Sequence, residues 1–126
     1  MAVVVDASAI GAIMCGEPQG EAIALHLAGE TLLAPALIDV ELTNLALTKV
    51  RRSPEIMPQM AVSLAAALSL PIFRVAVPGA AVLALASATG LTAYDASYLW
   101  LARSRDLDLV TLDKALLRAS ADPLDR

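Results

Sequence analysis

The chain has 126 residues, is 58% hydrophobic with only 3% aromatic residues, and carries a formal net charge of −4. That length suits one domain around one sizeable core, and the scarcity of aromatics leaves Ala, Leu and Val to build it, as in helices stacked tightly on a buried parallel sheet. The acidic balance excludes a nucleic-acid binder that works by its own charge alone: either no polyanion is bound, or something other than the polypeptide supplies positive charge.

Val3-Val4-Val5 is a β-branched run and predicts a buried strand. Asp6 ends it, and a helix is expected from Ser8 to Cys15. Gly16, Pro18 and Gly20 mark a turn, Glu21 to Leu27 reads as a second helix, and Gly29 stops it. Thr31 to Ala34 predicts the second strand. Pro35 then suits the first turn of a helix running to about Arg52, which Ser53-Pro54 breaks. Met57, Met60, Leu64, Ala67 and Leu68 recur at helical spacing and predict a core-facing stripe. Pro71 closes that helix, and Ile72 to Val75 is the third strand. A helix follows from Pro78 to Gly90, and another from Thr92 or Ala93 to about Arg105. Leu107 to Leu112 holds a fourth strand, and a short helix covers about Lys114 to Ala119.

Cys15 is the single cysteine, so no internal disulfide forms, and a small partly buried hydrophobe is expected. His26 is the single histidine and reads as a solvated helix residue, which leaves no basis for His-based metal ligation. No basic segment and no long apolar segment precede Asp6, so no signal peptide is expected. Val75 to Tyr94 is uncharged, but Pro78, Gly79 and Gly90 break it. Its helical part, about a dozen residues, is too short to span a bilayer. No membrane association and a cytoplasmic location are expected.

Strands separated by helices predict right-handed crossovers and a parallel sheet. Ligands of such sheets bind outside the carboxyl ends of the strands. Asp6 follows strand one, Glu41 lies in the first turns after strand two, and Asp113 follows strand four. Asp95 opens a helix that follows strand three after one intervening helix. All four acids can therefore meet at one sheet edge. Asp-Ala-Ser occurs twice, at Asp6 and at Asp95, but the flanks differ. The two runs share a destination rather than a repeat.

Carboxylates pressed together repel, at about 4 kcal/mol per pair some 4 Å apart at an effective dielectric near 20. They take up protons unless a cation sits between them. Oxygen-only ligands point to Mg²⁺ or Mn²⁺ with waters completing the shell, and such an ion supplies the positive charge the polypeptide lacks. It polarises a phosphoryl oxygen, acidifies a water and stabilises a leaving oxygen. With one histidine and no Ser-His or Cys-His pair, in-line attack of a metal-activated water on a phosphodiester is the expected chemistry.

"VVVDAS", "LIDVELTNLALTKV", "LTAYDASYLWLA" and "LVTLDKAL" together resemble the four motifs of PIN-domain nucleases, and the length and spacing resemble the VapC-type toxins of toxin–antitoxin pairs. The resemblance covers nearly the whole chain and implies that residues 1–126 form one α/β domain: a central parallel sheet of four or five strands flanked by helices. It implies that Asp6, Glu41, Asp95 and Asp113 hold one or two Mg²⁺ or Mn²⁺ ions. Ser8 and Thr111 would hydrogen-bond within the site, and Asn44, on the same helix face as Glu41, would support the metal shell. It further implies a ribonuclease that cuts structured RNA, often a tRNA, and halts translation. A homodimer and a cognate antitoxin that blocks the groove are implied too. Many relatives end in a fifth strand, whereas here "ALLRASADPLDR" follows Lys114, and Pro123 and the charges argue against one.

Simpler roles compete. Asp6, Asp95 and Asp113 could cap helices or offset helix dipoles, and Glu41 could be a solvated helix acid. Asp39, Asp106 and Asp108 are read as solvated acids. Lys49, Arg51 and Arg52 form the basic cluster, at a helix C-terminus, where they either offset the dipole or contact RNA phosphates. Tyr94, Tyr98 and Trp100 are read as core or dimer packing rather than base-stacking platforms. A phospho-receiver domain needs an Asp ending strand three, where this chain has Arg74-Val75-Ala76. A haloacid-dehalogenase-type phosphatase needs an Asp where Ser8 stands. An RNA-maturation or decay nuclease of the same family, or an inactive PIN-like scaffold, carries the same acids.

Overall fold

The computed structural model describes residues 1–121. Four parallel strands, β1 (Ala2–Val5), β2 (Thr31–Pro35), β3 (Ile72–Val75) and β4 (Asp108–Val110), form a sheet in the order β3-β2-β1-β4. The helices are α1 (Ala7–Met14), α2 (Gly20–Leu27), α3 (Ile38–Arg52), α4 (Met57–Leu68), α5 (Gly79–Thr89), α6 (Ala93–Arg105) and α7 (Lys114–Ala121). A 3-10 turn at Pro54–Ile56 separates α3 from α4, as Ser53-Pro54 leads one to expect. Val4 and Val5 are fully buried in the central strand β1, the reason its side chains are β-branched and apolar on both faces.

The strand order has one reversal that matters. The chain steps outward from β1 to β2 to β3, then returns through α5 and α6 to place β4 on the other side of β1. The crevice between β1 and β4 is a topological switch point, where open α/β sheets place their ligands. A backbone bond from Asp6 N–H to the Val110 carbonyl (3.3 Å) ties the two strand ends together there.

Three expectations change. Pro35 ends β2, paired with Val75, and α3 starts only at Ile38. β1 pairs with β2 only as far as Leu33, so at Pro35 the strand has a neighbour on one side and needs no N–H on the other. The ladder continues through Ala36 N–H to the Val75 carbonyl (3.0 Å). Of the expected α4 stripe, Met60 and Ala67 are buried, but Met57 is exposed at the helix start. The Asp39 side chain is partly solvent-exposed as expected but not unpartnered: Arg74 Nε lies 3.0 and 3.1 Å from its two carboxylate oxygens, and Nη2 lies 2.9 Å from Oδ1. The same guanidinium donates to the carbonyls of Ile72 and Leu68, so it joins the start of α3 to β3 and the end of α4.

The last helix extends to Ala121, and the described sheet has four strands. The question of a strand around Pro123 lies outside the described residues. No described helix is long and apolar enough to cross a membrane.

Candidate metal centre

Asp6 leaves β1 in extended conformation and caps α1: its Oδ1 accepts the Ala9 N–H at 3.0 Å. The capping role and a role in the site are therefore compatible. Asp6 is 3% exposed, and two hydroxyls serve it. Ser8 Oγ donates to Oδ1 at 2.7 Å, and Thr111 Oγ1 donates to Oδ2. Each hydroxyl also accepts a backbone N–H of the β4–α7 loop, Ser8 from Leu112 (2.9 Å) and Thr111 from Asp113 (3.0 Å). Those bonds leave each hydroxyl proton for Asp6. A carboxylate has about four lone-pair sites; among the described residues three are taken, and one on Oδ2 remains. Burial pushes the Asp6 carboxyl above the ordinary range, the hydroxyls and the Ala9 N–H pull it back in part, and Asp113 adds repulsion.

Glu41 stands in the first turn of α3. Its Oε1 accepts the Tyr98 hydroxyl at 2.6 Å. Burial raises its pKa, Tyr98 opposes that, and Asp95 and Asp6 raise it further. Asp95 lies in the first turn of α6, whose N-cap Thr92 accepts its N–H at 3.1 Å. Burial raises Asp95 too, followed by repulsion from Asp113 and Asp6. Asp113 precedes α7, and its Oδ1 accepts the Leu116 N–H at 2.8 Å. Like Asp6, it serves a helix start and faces the site.

All four acids line one cavity of about 470 Å³, with Ser8, Asn44, Leu45, Tyr94 and Tyr98 among its other walls. Thr111 stands behind Asp6 rather than in the wall. Asn44 is exposed at the rim. The ion pairs among the described residues join Met1 to Glu30, Lys49 to Glu17 and Arg74 to Asp39, and none reaches the four acids. Lys49, Arg51 and Arg52 are not brought to the cavity. At about 1.5 Å per residue they lie roughly 12 to 16 Å along α3 from Glu41. Tyr98 is the functional neighbour that sequence reasoning missed. It is 1% exposed, as core packing predicts, yet its hydroxyl reaches Glu41 across 57 positions of sequence. No local pattern carries that pairing.

No group of three or more Asp, Glu, His or Cys among the described residues is arranged to hold an ion by itself. The donor set nevertheless fits a hard divalent cation. Every donor is oxygen, Asp6 keeps a lone pair, and neighbouring acids help raise the carboxyls of Asp6, Glu41 and Asp95 with no ion pair from the chain among the described residues to offset them. Mg²⁺ in particular keeps several waters and takes only one or two direct carboxylates, which suits acids that share a cavity without forming a closed cage.

The crystal structure of PAE2754 from Pyrobaculum aerophilum is similar to this chain at a TM-score of 0.76, with 31% sequence identity over 96% of this chain and 89% of that one. A comparison with curated proteins gave no match. The model of the PIN domain family matches residues 3–122, which takes in all four acids and every helix from α1 to α7. With the acids gathered at the switch point of a four-stranded parallel sheet, the chain belongs to the PIN domain family, whose members are generally nucleases.

Proposed function

We propose that this chain is a Mg²⁺- or Mn²⁺-dependent endoribonuclease that hydrolyses phosphodiester bonds of structured RNA such as a tRNA. In this reading it is the toxin of a toxin–antitoxin pair, a homodimer in the cytoplasm held silent by a cognate antitoxin. The observation that carries the nuclease reading is the convergence of Asp6, Glu41, Asp95 and Asp113 on one cavity without a cationic side chain among them. The toxin reading rests on the length and the spacing of the four motifs.

Asp6, Glu41, Asp95 and Asp113 would hold the ion. Bound there, it supplies Lewis-acid polarisation of the phosphoryl group and acidification of water. The chain does the rest. Ser8 and Thr111 fix the Asp6 carboxylate by donating to both of its oxygens. Glu41 and Asp95 line the same cavity, where a carboxylate not committed to the ion would accept the proton released as water attacks phosphorus. The P–O bond to the leaving ribose oxygen breaks as the new one forms.

The test is cleavage of a broad RNA pool by the purified chain with Mn²⁺, with excess EDTA, and as Asp6→Asn. Cleavage only in the first condition supports the nuclease reading. Cleavage that persists in EDTA overturns the metal requirement, and none in any condition favours a protein-binding scaffold. Expression in cells with and without a candidate antitoxin separates the roles: a chain that cleaves RNA but does no harm alone is a maturation or decay nuclease.

A further inference from the structure

We propose that Tyr98 is the positioning residue of this site, its buried phenol holding the Glu41 carboxylate in the orientation that a divalent ion requires. The proposal rests on the metal-dependent reading above. Among the described residues, Tyr98 is the one hydrogen-bond partner of the Glu41 carboxylate, at 2.6 Å. Asp6 is held by three donors and Asp113 by the helix it precedes. Glu41 has a longer and freer side chain and has only the phenol.

The phenol's own proton has one destination. The hydroxyl donates its hydrogen to Oε1 of Glu41. Asp95 precedes Tyr98 by one helical turn on α6. One side chain thus joins the segments that carry Glu41 and Asp95. At 1% exposure it has no freedom to turn away. Phenylalanine fills the same space without the hydroxyl, so Tyr98→Phe removes the hold and keeps the packing.

The experiment is a calorimetric Mn²⁺ titration of the metal-free wild type, Tyr98→Phe, Glu41→Gln, the double variant and Asp6→Asn, with a thermal melt of each. Proton NMR of the metal-free wild type and Glu41→Gln follows the Tyr98 hydroxyl, which burial and the bond to Glu41 should protect from exchange. Partners that orient a metal ligand typically matter by 10- to 100-fold in affinity. Tyr98→Phe is therefore expected to melt as a folded protein and to bind Mn²⁺ about tenfold more weakly. Its effect should vanish in the Glu41→Gln background, and the hydroxyl resonance should move in Glu41→Gln. Equal affinity in wild type and Tyr98→Phe, or an equal loss in both backgrounds, overturns the positioning role while leaving the metal site intact. Should Tyr98→Phe fail to fold, the resonance decides: unmoved in Glu41→Gln, it overturns the proposal. A folded wild type that binds no Mn²⁺, like Asp6→Asn, overturns the metal reading and this proposal together.

Discussion

The hydroxyl of Thr111, at the end of β4, donates to Oδ2 of Asp6, at the end of β1, although 105 positions separate the two residues. The bond ties the two strand ends together beside the crevice and commits a buried carboxylate to one orientation. Its removal leaves Asp6 with less support and the Asp113 N–H without its acceptor. Thr111→Val is expected to cost about 1–3 kcal/mol, the range for a lost partner of a buried polar group. Thr111→Ser, which keeps the hydroxyl, should recover most of that. Urea unfolding of both variants checks it, and a Thr111→Val chain as stable as wild type contradicts it.

The acids give the metal-free chain an unusual pH response. Burial holds Asp6, Glu41 and Asp95 above their ordinary values of 3.8 and 4.5. A carboxyl raised in the fold stabilises it fully below its unfolded pKa and loses that contribution as pH rises through the folded pKa. The contribution of these three should therefore decline from about pH 4 upward, opposite to the trend of salt-bridged carboxylates. Comparing melts of wild type with the triple variant Asp6→Asn, Glu41→Gln, Asp95→Asn across this range isolates it. A wild type that gains on the variant as pH rises refutes it.

Added Mn²⁺ should offset the loss. An ion that binds only the folded chain stabilises it by about 2.7 kcal/mol at a hundred times its dissociation constant. The gain should be large at pH 7 to 8, where the acids are ionised, and small near pH 4, where protons compete. Melts with and without Mn²⁺ at both ends of the range measure it. A gain independent of pH points to binding elsewhere.

Asp95 illustrates a conflict between site and fold. It is repelled by Asp113 and Asp6 and is less buried than Asp6. Asp95→Asn removes the charge and keeps the shape. The metal-free variant should gain roughly 0.5–1 kcal/mol, as relief of a strained functional site often gives, and should bind Mn²⁺ more weakly. A variant less stable than wild type with unchanged Mn²⁺ affinity assigns Asp95 a structural role at the start of α6.

A substitution far from the acids separates fold from function. A β-carbon at Gly20 meets the Ala12 carbonyl oxygen at 2.6 Å, where α2 packs on α1. Backbone has little room to yield, so Gly20→Ala should cost about 1–3 kcal/mol as an overpacked contact. The folded fraction should bind Mn²⁺ as wild type does. Denaturation and calorimetry on the same sample check both halves.

Much of the architecture was legible in short patterns. The Val3–Val5 run, the β-strand breaks at Pro and Gly, and the alternation of strands with helices place Asp6 and Asp113 at strand ends and Glu41 and Asp95 at helix starts. Side-chain chemistry at those positions then marked the same edge of the sheet. Pro35 misled because its fixed φ suits a helix start as well as the end of a strand, and only the shortness of β1 beside it decided between them. Asp39 misled because Arg74, its partner, comes from β3, 35 positions away.

Periodicity, turn residues and charge type are local properties, and by themselves they determined the element order, the parallel sheet and which acids face a common crevice. The partnerships that shape the site were decided only by the tertiary structure: Thr111 with Asp6, Tyr98 with Glu41, and the distance of Lys49, Arg51 and Arg52 from the cavity. The physical reason is range. A strand or helix is specified by neighbours a few residues apart, whereas a hydrogen bond holds only within about 3 Å. Which distant side chains come that close depends on how every element packs against the others.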